Sequence, residues 1–155
     1  MNFLYFDSSA LVKRYLTEIG STWILARTDL VAGTTIVVSE ITRVEVAAAF
    51  AARHRASGGI SRQERDDALN LLLRHFDTEY QIASLDRVTI SRAVNLTQTY
   101  RLRGYDAIQL ATALATNQAL TAAGLPGLTF IAADDDLLAA AQREGLATNN
   151  PNHQP

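Results

Sequence analysis

The chain has 155 residues, 48% of them hydrophobic and 19% charged, with no cysteine and a formal net charge of −2. That length and balance predict one globular domain with a sizeable core and exclude a disordered chain. The lack of cysteine excludes disulfides, thiolate zinc sites and a cysteine nucleophile, and the small net charge excludes a generally basic nucleic-acid coat.

In chain order, the apolar run Asn2–Phe6 ends in Asp7 and reads as a buried strand. Asp7-Ser8-Ser9 caps a helix over about 9–17, and Gly20-Ser21 restarts a second over about 21–31. The β-branched run Thr34–Val38 reads as a strand, followed by a helix over about 40–56. Ser57-Gly58-Gly59 breaks that helix, and Ser61 with Glu64 fits a capping box for the next, to about Phe76. A short strand over Tyr80–Leu85, a helix over Asp86–Leu102 and an Ala-rich helix over Tyr105–Ala123 follow. Leu128–Ala132 is a last strand and Asp134–Glu144 a last helix. The polar ending TNNPNHQP reads as a loose tail. The expected organisation is a single domain over 1–148 with a polar tail over 149–155. Strands alternating with helices predict an α/β sandwich with a parallel sheet, whose ligands bind beyond the carboxyl ends of the strands.

No apolar run reaches the 18 residues of a membrane span, and the opening MNFLYFDSSA lacks the cationic start of a signal peptide, so a cytoplasmic protein is the default expectation. His54, His75 and His153 are scattered, which disfavours a histidine metal site. Of the 14 cationic residues only Lys13 is a lysine; the others are arginines, the better side chain for bidentate phosphate contacts.

The acids carry more information. Asp7 follows the first strand, and Asp134, Asp135 and Asp136 follow the last. Glu45 falls near the middle of an apolar stripe made by Ile41, Val44, Ala48 and Ala52, where an unpartnered carboxylate is costly. Asp106 opens the Ala-rich helix. Each position has an ordinary explanation: a cap for Asp7, Asp106 and Asp134, an arginine pair for Glu45. A doubly wound sheet can bring all four to one edge, where they repel unless a cation is present. Hard divalent ions with oxygen ligands, Mg²⁺ or Mn²⁺, fit that set.

Four segments resemble the PIN-domain ribonucleases, and among them the VapC-type toxins of toxin–antitoxin pairs. They are YFDSSALVKRYLTEIGS with Asp7 and Ser9, SEITRVEVAAAF with Glu45, LRGYDAIQLATAL with Asp106, and FIAADDDLLAAAQREGL with Asp134. The resemblance covers about residues 3–152. It implies a three-layer α/β/α fold with a central parallel sheet, and Mg²⁺- or Mn²⁺-dependent RNA cleavage by activated water. It implies a homodimer and a small antitoxin, with DNA contacted only through that antitoxin and no membrane. Asp7, Glu45, Asp106 and Asp134 are then the catalytic and metal-binding acids, with Asp136 rather than Asp135 as a further ligand.

Ser9 is expected to orient Asp7 or the phosphate. Arg14, Arg43 and Arg103, with Lys13 and Arg101, are candidates for a cationic rim, and the arginines and His54 around Gly58-Gly59 for a contact with RNA or antitoxin. Ser9 stands where a dehalogenase-type phosphatase needs a second Asp, and no lysine follows Lys13 as a receiver domain requires. Two alternatives remain open at this point. One is a PIN-fold binding module acting mainly in an antitoxin-bound, DNA-associated complex. The other is a PIN nuclease of RNA processing outside any toxin system.

Overall fold

The structure is a computed structural model that describes residues 1–29 and 33–154. The chain runs β1 (Asn2–Phe6), α1 (Ser8–Leu11), a 3-10 turn (Val12–Arg14), α2 (Ser21–Arg27), β2 (Thr34–Ser39), α3 (Glu40–Arg55) and α4 (Arg62–Thr78). It continues through β3 (Gln81–Ala83), α5 (Arg87–Thr99), α6 (Gly104–Ala122), β4 (Thr129–Ile131), α7 (Asp135–Arg143), β5 (Ala147–Asn149) and a second 3-10 turn (Pro151–His153).

The alternation of side chains along β1 sets the layers. Phe3 and Tyr5 pack with Val37, Phe130, Ala93, Leu110, Ala111, Leu114 and Leu137, so α5, α6 and α7 cover that face. Leu4 and Phe6 pack with Ile36, Val38, Leu11, Ile24, Val46, Phe50 and Leu72, so α1 to α4 cover the other. A strand buried on both faces must be apolar at consecutive positions, which is why β1 reads as an unbroken run. The result is the expected three-layer α/β/α domain around a parallel sheet.

The strand order is β3-β2-β1-β4-β5, and every pair is parallel. From β1 the chain steps outward to β2 and β3, then returns to the far side of β1 for β4 and β5. The loop after β1 therefore leaves for one helical layer and the loop after β4 for the other. Their divergence opens a crevice at the carboxyl edge of the sheet, between the two central strands. No helix among the described residues is long and apolar enough to cross a membrane.

Four expectations change. The first helix is shorter than its pattern suggested, and gives way at Val12 to a 3-10 turn. The second ends at Arg27, and the expected positions 30 and 31 lie outside the described residues. The helix expected to reach Leu102 stops at Thr99, where Tyr100 turns extended and donates its hydroxyl to Glu144 (2.7 Å). On α3 the buried face is Thr42, Val46 and Phe50, while Val44 is 70% exposed and Ala48 and Ala52 are exposed as well. The predicted stripe was rotated: Glu45 lies on the flank of the true core face, not at the centre of it.

The ending is not loose. Ala147, Thr148 and Asn149 pair with Thr129, Phe130 and Ile131 as an edge strand. Asn150 is buried; its Nδ2 donates to Asp135 (2.8 Å) and its Oδ1 accepts from the Asn152 N–H (2.9 Å). Polar composition hid this because the segment is held through amide groups rather than apolar burial. Pro155 lies outside the described residues.

The second 3-10 turn also closes on the start of α2. Gly20 has φ of +86°, and a Cβ built there would stand 2.5 Å from the Pro151 carbonyl oxygen. Gly20→Ala is thus expected to lower stability by about 1–3 kcal/mol through left-handed strain and that clash. Chemical denaturation reads the shift in midpoint, and an unchanged midpoint would show that the tail yields freely.

Candidate active site

Asp7 occupies the first position past β1. Its backbone N–H donates to the Ile131 carbonyl (3.0 Å), which carries the β1–β4 pairing one step beyond the strand. Its side chain caps α1 by accepting from the Ala10 N–H (3.0 Å), and it also accepts from Ser9 Oγ (2.7 Å). Ser9 Oγ in turn accepts from the Ala133 N–H (2.9 Å). One hydroxyl therefore ties the loop after β1 to the loop after β4, across the crevice.

Three other acids meet this edge from three helices. Glu45 projects from α3 and accepts from Gln109 Nε2 (2.9 Å). Asp106 stands in the first turn of α6, with Oδ2 accepting from the Arg103 N–H (3.3 Å). Asp134 caps α7 by accepting from the Leu137 N–H (3.1 Å). Asp106, Asp134 and Asp136 share an open cleft of about 680 Å³ with Ser9, Arg101, Leu102, Arg103 and Tyr105. Asp135 turns the other way, toward Asn150 and His153.

Electrostatics link these acids. Burial pushes the Asp7 carboxyl up to about 7, against the hydrogen bonds from Ser9 and Ala10; the charges of Glu45 and Asp106 push the same way. Glu45 is raised, chiefly by burial and also by Asp106, while Gln109 and Ser8 favour its anion. Asp106 is raised by burial and by Asp134, against the Arg103 N–H and the Arg103 charge. Among the described residues no three Asp, Glu or His side chains stand close enough to hold one ion as they are. The donor set is all oxygen, so a hard divalent ion drawing these side chains inward fits it.

The cations divide. Arg101 and Arg103 line the cleft, and Arg103 Nη1 donates to the Tyr105 hydroxyl (3.0 Å). Arg14 does not line it. The 3-10 turn aims its guanidinium at the end of α4, where it pairs with Glu79 (2.8 Å) and donates to Tyr80 (2.7 Å). Arg43 also points elsewhere, because two residues along a helix lie about 200° apart. It pairs with Glu40 (3.0 Å) and lies over the Phe76 ring. Lys13 is buried and pairs with Glu18 (3.1 Å). Around Gly58-Gly59, Arg53 pairs with Glu18, Arg62 and Arg65 with Asp66, and His54 bonds the Ile60 carbonyl.

Gln109 escaped the sequence reading. It is 1% exposed and sits one turn after Asp106. Its Nε2, with two hydrogens to share, lies within hydrogen-bond distance of Ser8 (3.1 Å), Thr42 (2.9 Å) and Glu45 (2.9 Å), and its Oε1 accepts from the Tyr5 hydroxyl (2.8 Å). The available signal was a lone amide at i+3 from an acid, inside the Ala- and Leu-rich stretch of α6.

These shifts carry a sign. Asp7, Glu45 and Asp106 are raised on folding, so the folded chain holds protons that the unfolded chain has released. For Asp7 the stabilisation is present below about pH 4 and is lost as pH rises toward about 7. Asp7→Asn keeps a good helix cap and removes the charge. In chelator, the variant is expected to gain on the wild type as pH goes from 5 to 8, reaching roughly 1–3 kcal/mol. Thermal melts across that range test it, and a gap that stays constant with pH would count against a strained carboxylate.

A PIN domain family model matches residues 4–143. No curated protein matches in sequence. Three solved structures share the fold at low identity. A chain of a toxin–antitoxin complex from Klebsiella pneumoniae is 21% identical, with TM-score 0.57 over 96% of this chain and 97% of that one. A chain of VapBC2 from Rickettsia felis bound to a promoter DNA fragment is 14% identical, with TM-score 0.63 over 96% and 98%. A chain of FitAB bound to an IR36 DNA fragment is 14% identical, with TM-score 0.62 over 98% and 97%. With the family model spanning nearly all of the sheet and its helices, this chain belongs to the PIN domain family.

Proposed function

We propose that the protein is the divalent-metal-dependent endoribonuclease of a toxin–antitoxin pair. The observation that carries this reading is the group of acids at one sheet edge. Asp7, Glu45 and Asp106 are pushed toward neutrality by burial and by one another, and Asp106, Asp134 and Asp136 share a cleft with two arginines. Asp7, Glu45, Asp106 and Asp134 would hold one or two Mg²⁺ or Mn²⁺ ions, with Asp136 beside them. Once bound, such an ion supplies charge neutralisation and Lewis acidity toward a phosphodiester and its attacking water.

The chain's own groups do the rest. Ser9 and the Ala10 N–H both engage Asp7 Oδ1 and so fix the carboxylate that would help hold the ion. Glu45, half-buried and anchored through one oxygen, holds a second ion or orients the attacking water. Arg101 and Arg103 meet the RNA phosphates at the rim, where an unrelieved acidic cleft would repel them. Unpaired RNA suits an open cleft of this kind better than duplex, whose bases are shielded.

The antitoxin belongs to the same proposal. One structural relative comes from a toxin–antitoxin complex, and two others, VapBC2 and FitAB, are bound to DNA fragments. A small antitoxin that covers the cleft and carries the DNA contacts, on a homodimer of this chain, agrees with that likeness.

Purified, antitoxin-free protein given total RNA is expected to yield discrete fragments with Mg²⁺ or Mn²⁺ and none in EDTA. Asp106→Asn is expected to reduce the rate at least about 100-fold, the scale of lost transition-state charge stabilisation. Cleavage that persists in EDTA or in the variant would reject the site; a folded chain inert on every RNA would reject the activity.

A further inference from the structure

We propose that Gln109 is a positioning residue for Glu45: its buried amide holds that carboxylate at the carboxyl edge of the sheet, and the Tyr5 hydroxyl anchors the other end of the amide. The role rests on the metal-dependent reading of the four acids.

A side-chain amide donates from one end and accepts at the other. With Nε2 toward Glu45, the carboxylate receives an N–H; reversed, the amide oxygen would face a carboxylate with no proton between them. An ionised carboxylate thus favours the orientation seen. Tyr5 completes the assignment by donating to Oε1 (2.8 Å). The Tyr5 ring cannot drift, because it is fully buried and stacks on Phe130 at 5.6 Å. The bonds to Tyr5 and Thr42 are buried, so the amide is held on its inner side while it reaches out to Glu45.

The amide also joins elements from the two faces of the sheet. Tyr5 and Gln109 belong to β1 and α6, on one face. Ser8, Thr42 and Glu45 belong to α1 and α3, on the other. Gln109 and Asp106 lie three residues apart on α6 and so share a side of that helix. The amide thus sets Glu45 relative to the helix that carries Asp106, and with it the spacing of two acids from opposite layers. A leucine here would fill the core as well; the buried amide is retained at a desolvation cost that only these bonds offset.

The test is isothermal titration of the metal-free full chain with Mn²⁺. Gln109→Leu, similar in volume and without donors, is expected to weaken binding about 10- to 100-fold, the usual range for losing a partner that orients a metal ligand. Tyr5→Phe removes only the hydroxyl and is expected to weaken binding by about threefold or more, in the same direction. Asn117→Ala is the stability control. It frees the Leu128 N–H (2.9 Å from Asn117 Oδ1) at the far end of α6 and is expected to lower the melting temperature with Mn²⁺ affinity unchanged.

Wild-type affinity in a folded Gln109→Leu overturns the positioning role alone. If that variant does not fold, wild-type affinity in Tyr5→Phe overturns it instead. A loss in Asn117→Ala equal to that in Gln109→Leu would likewise overturn it, by making the effect one of stability. Failure of the wild-type chain to bind Mn²⁺ removes the metal reading, and this role with it.

Discussion

Carboxylates placed near one another and away from water repel, and the carboxyl edge of this sheet is organised around that fact. Asp7 is nearly inaccessible, yet two hydrogen bonds favour its anion. Glu45 has Gln109, Asp106 the Arg103 N–H, and Asp134 the first turn of α7. Each acid has at least one local donor that keeps it in place, and the one lysine of the chain pairs with Glu18 instead. The fold supplies enough support to hold the acids at the edge and too little to neutralise them. Burial and neighbouring carboxylates therefore still hold Asp7, Glu45 and Asp106 above the usual carboxylate range.

The topology makes the arrangement possible. Because the connections from β1 and β4 leave on opposite faces, the carboxyl ends of the two central strands stay uncovered. Ser9 closes the backbone over that gap without filling it, by bonding Asp7 on one side and Ala133 on the other. Gln109 performs the corresponding task one layer deeper, between α6 and α3. Both bridges are single polar side chains that span long sequence separations, and both touch an acid of the sheet edge.

How much of this the sequence reveals depends on the kind of force involved. Apolar runs report burial directly, so β1, β2 and the acids that end strands are legible, as is the Ser61 and Glu64 capping box of α4. Glu45 was singled out by a stripe that proved to face solvent at Val44; the residue stands out because it is a carboxylate on the flank of a core helix, and the rotation of α3 by its neighbours on α4 is not written in α3 alone. Arg14 and Arg43 are near the acids in sequence and turned from them in space, since their partners Tyr80 and Phe76 come from the far end of α4. The ending failed for the opposite reason. Thr148, Asn149 and Asn150 are ordered by backbone pairing and amide bonds, which polarity patterns do not record. Gln109 failed likewise: one polar residue in an apolar helix has many explanations until its four partners are known.

The bond between Ser9 and Ala133 spans 124 residues, and β1 cannot meet β4 until the chain has been made as far as Ile131. Contacts of such separation form late, after local helices and after the β1–β2 pair. During synthesis on the ribosome, the first acid emerges early while the wall that completes its surroundings is still untranslated. The cleft therefore comes into being only after most of the message has been read.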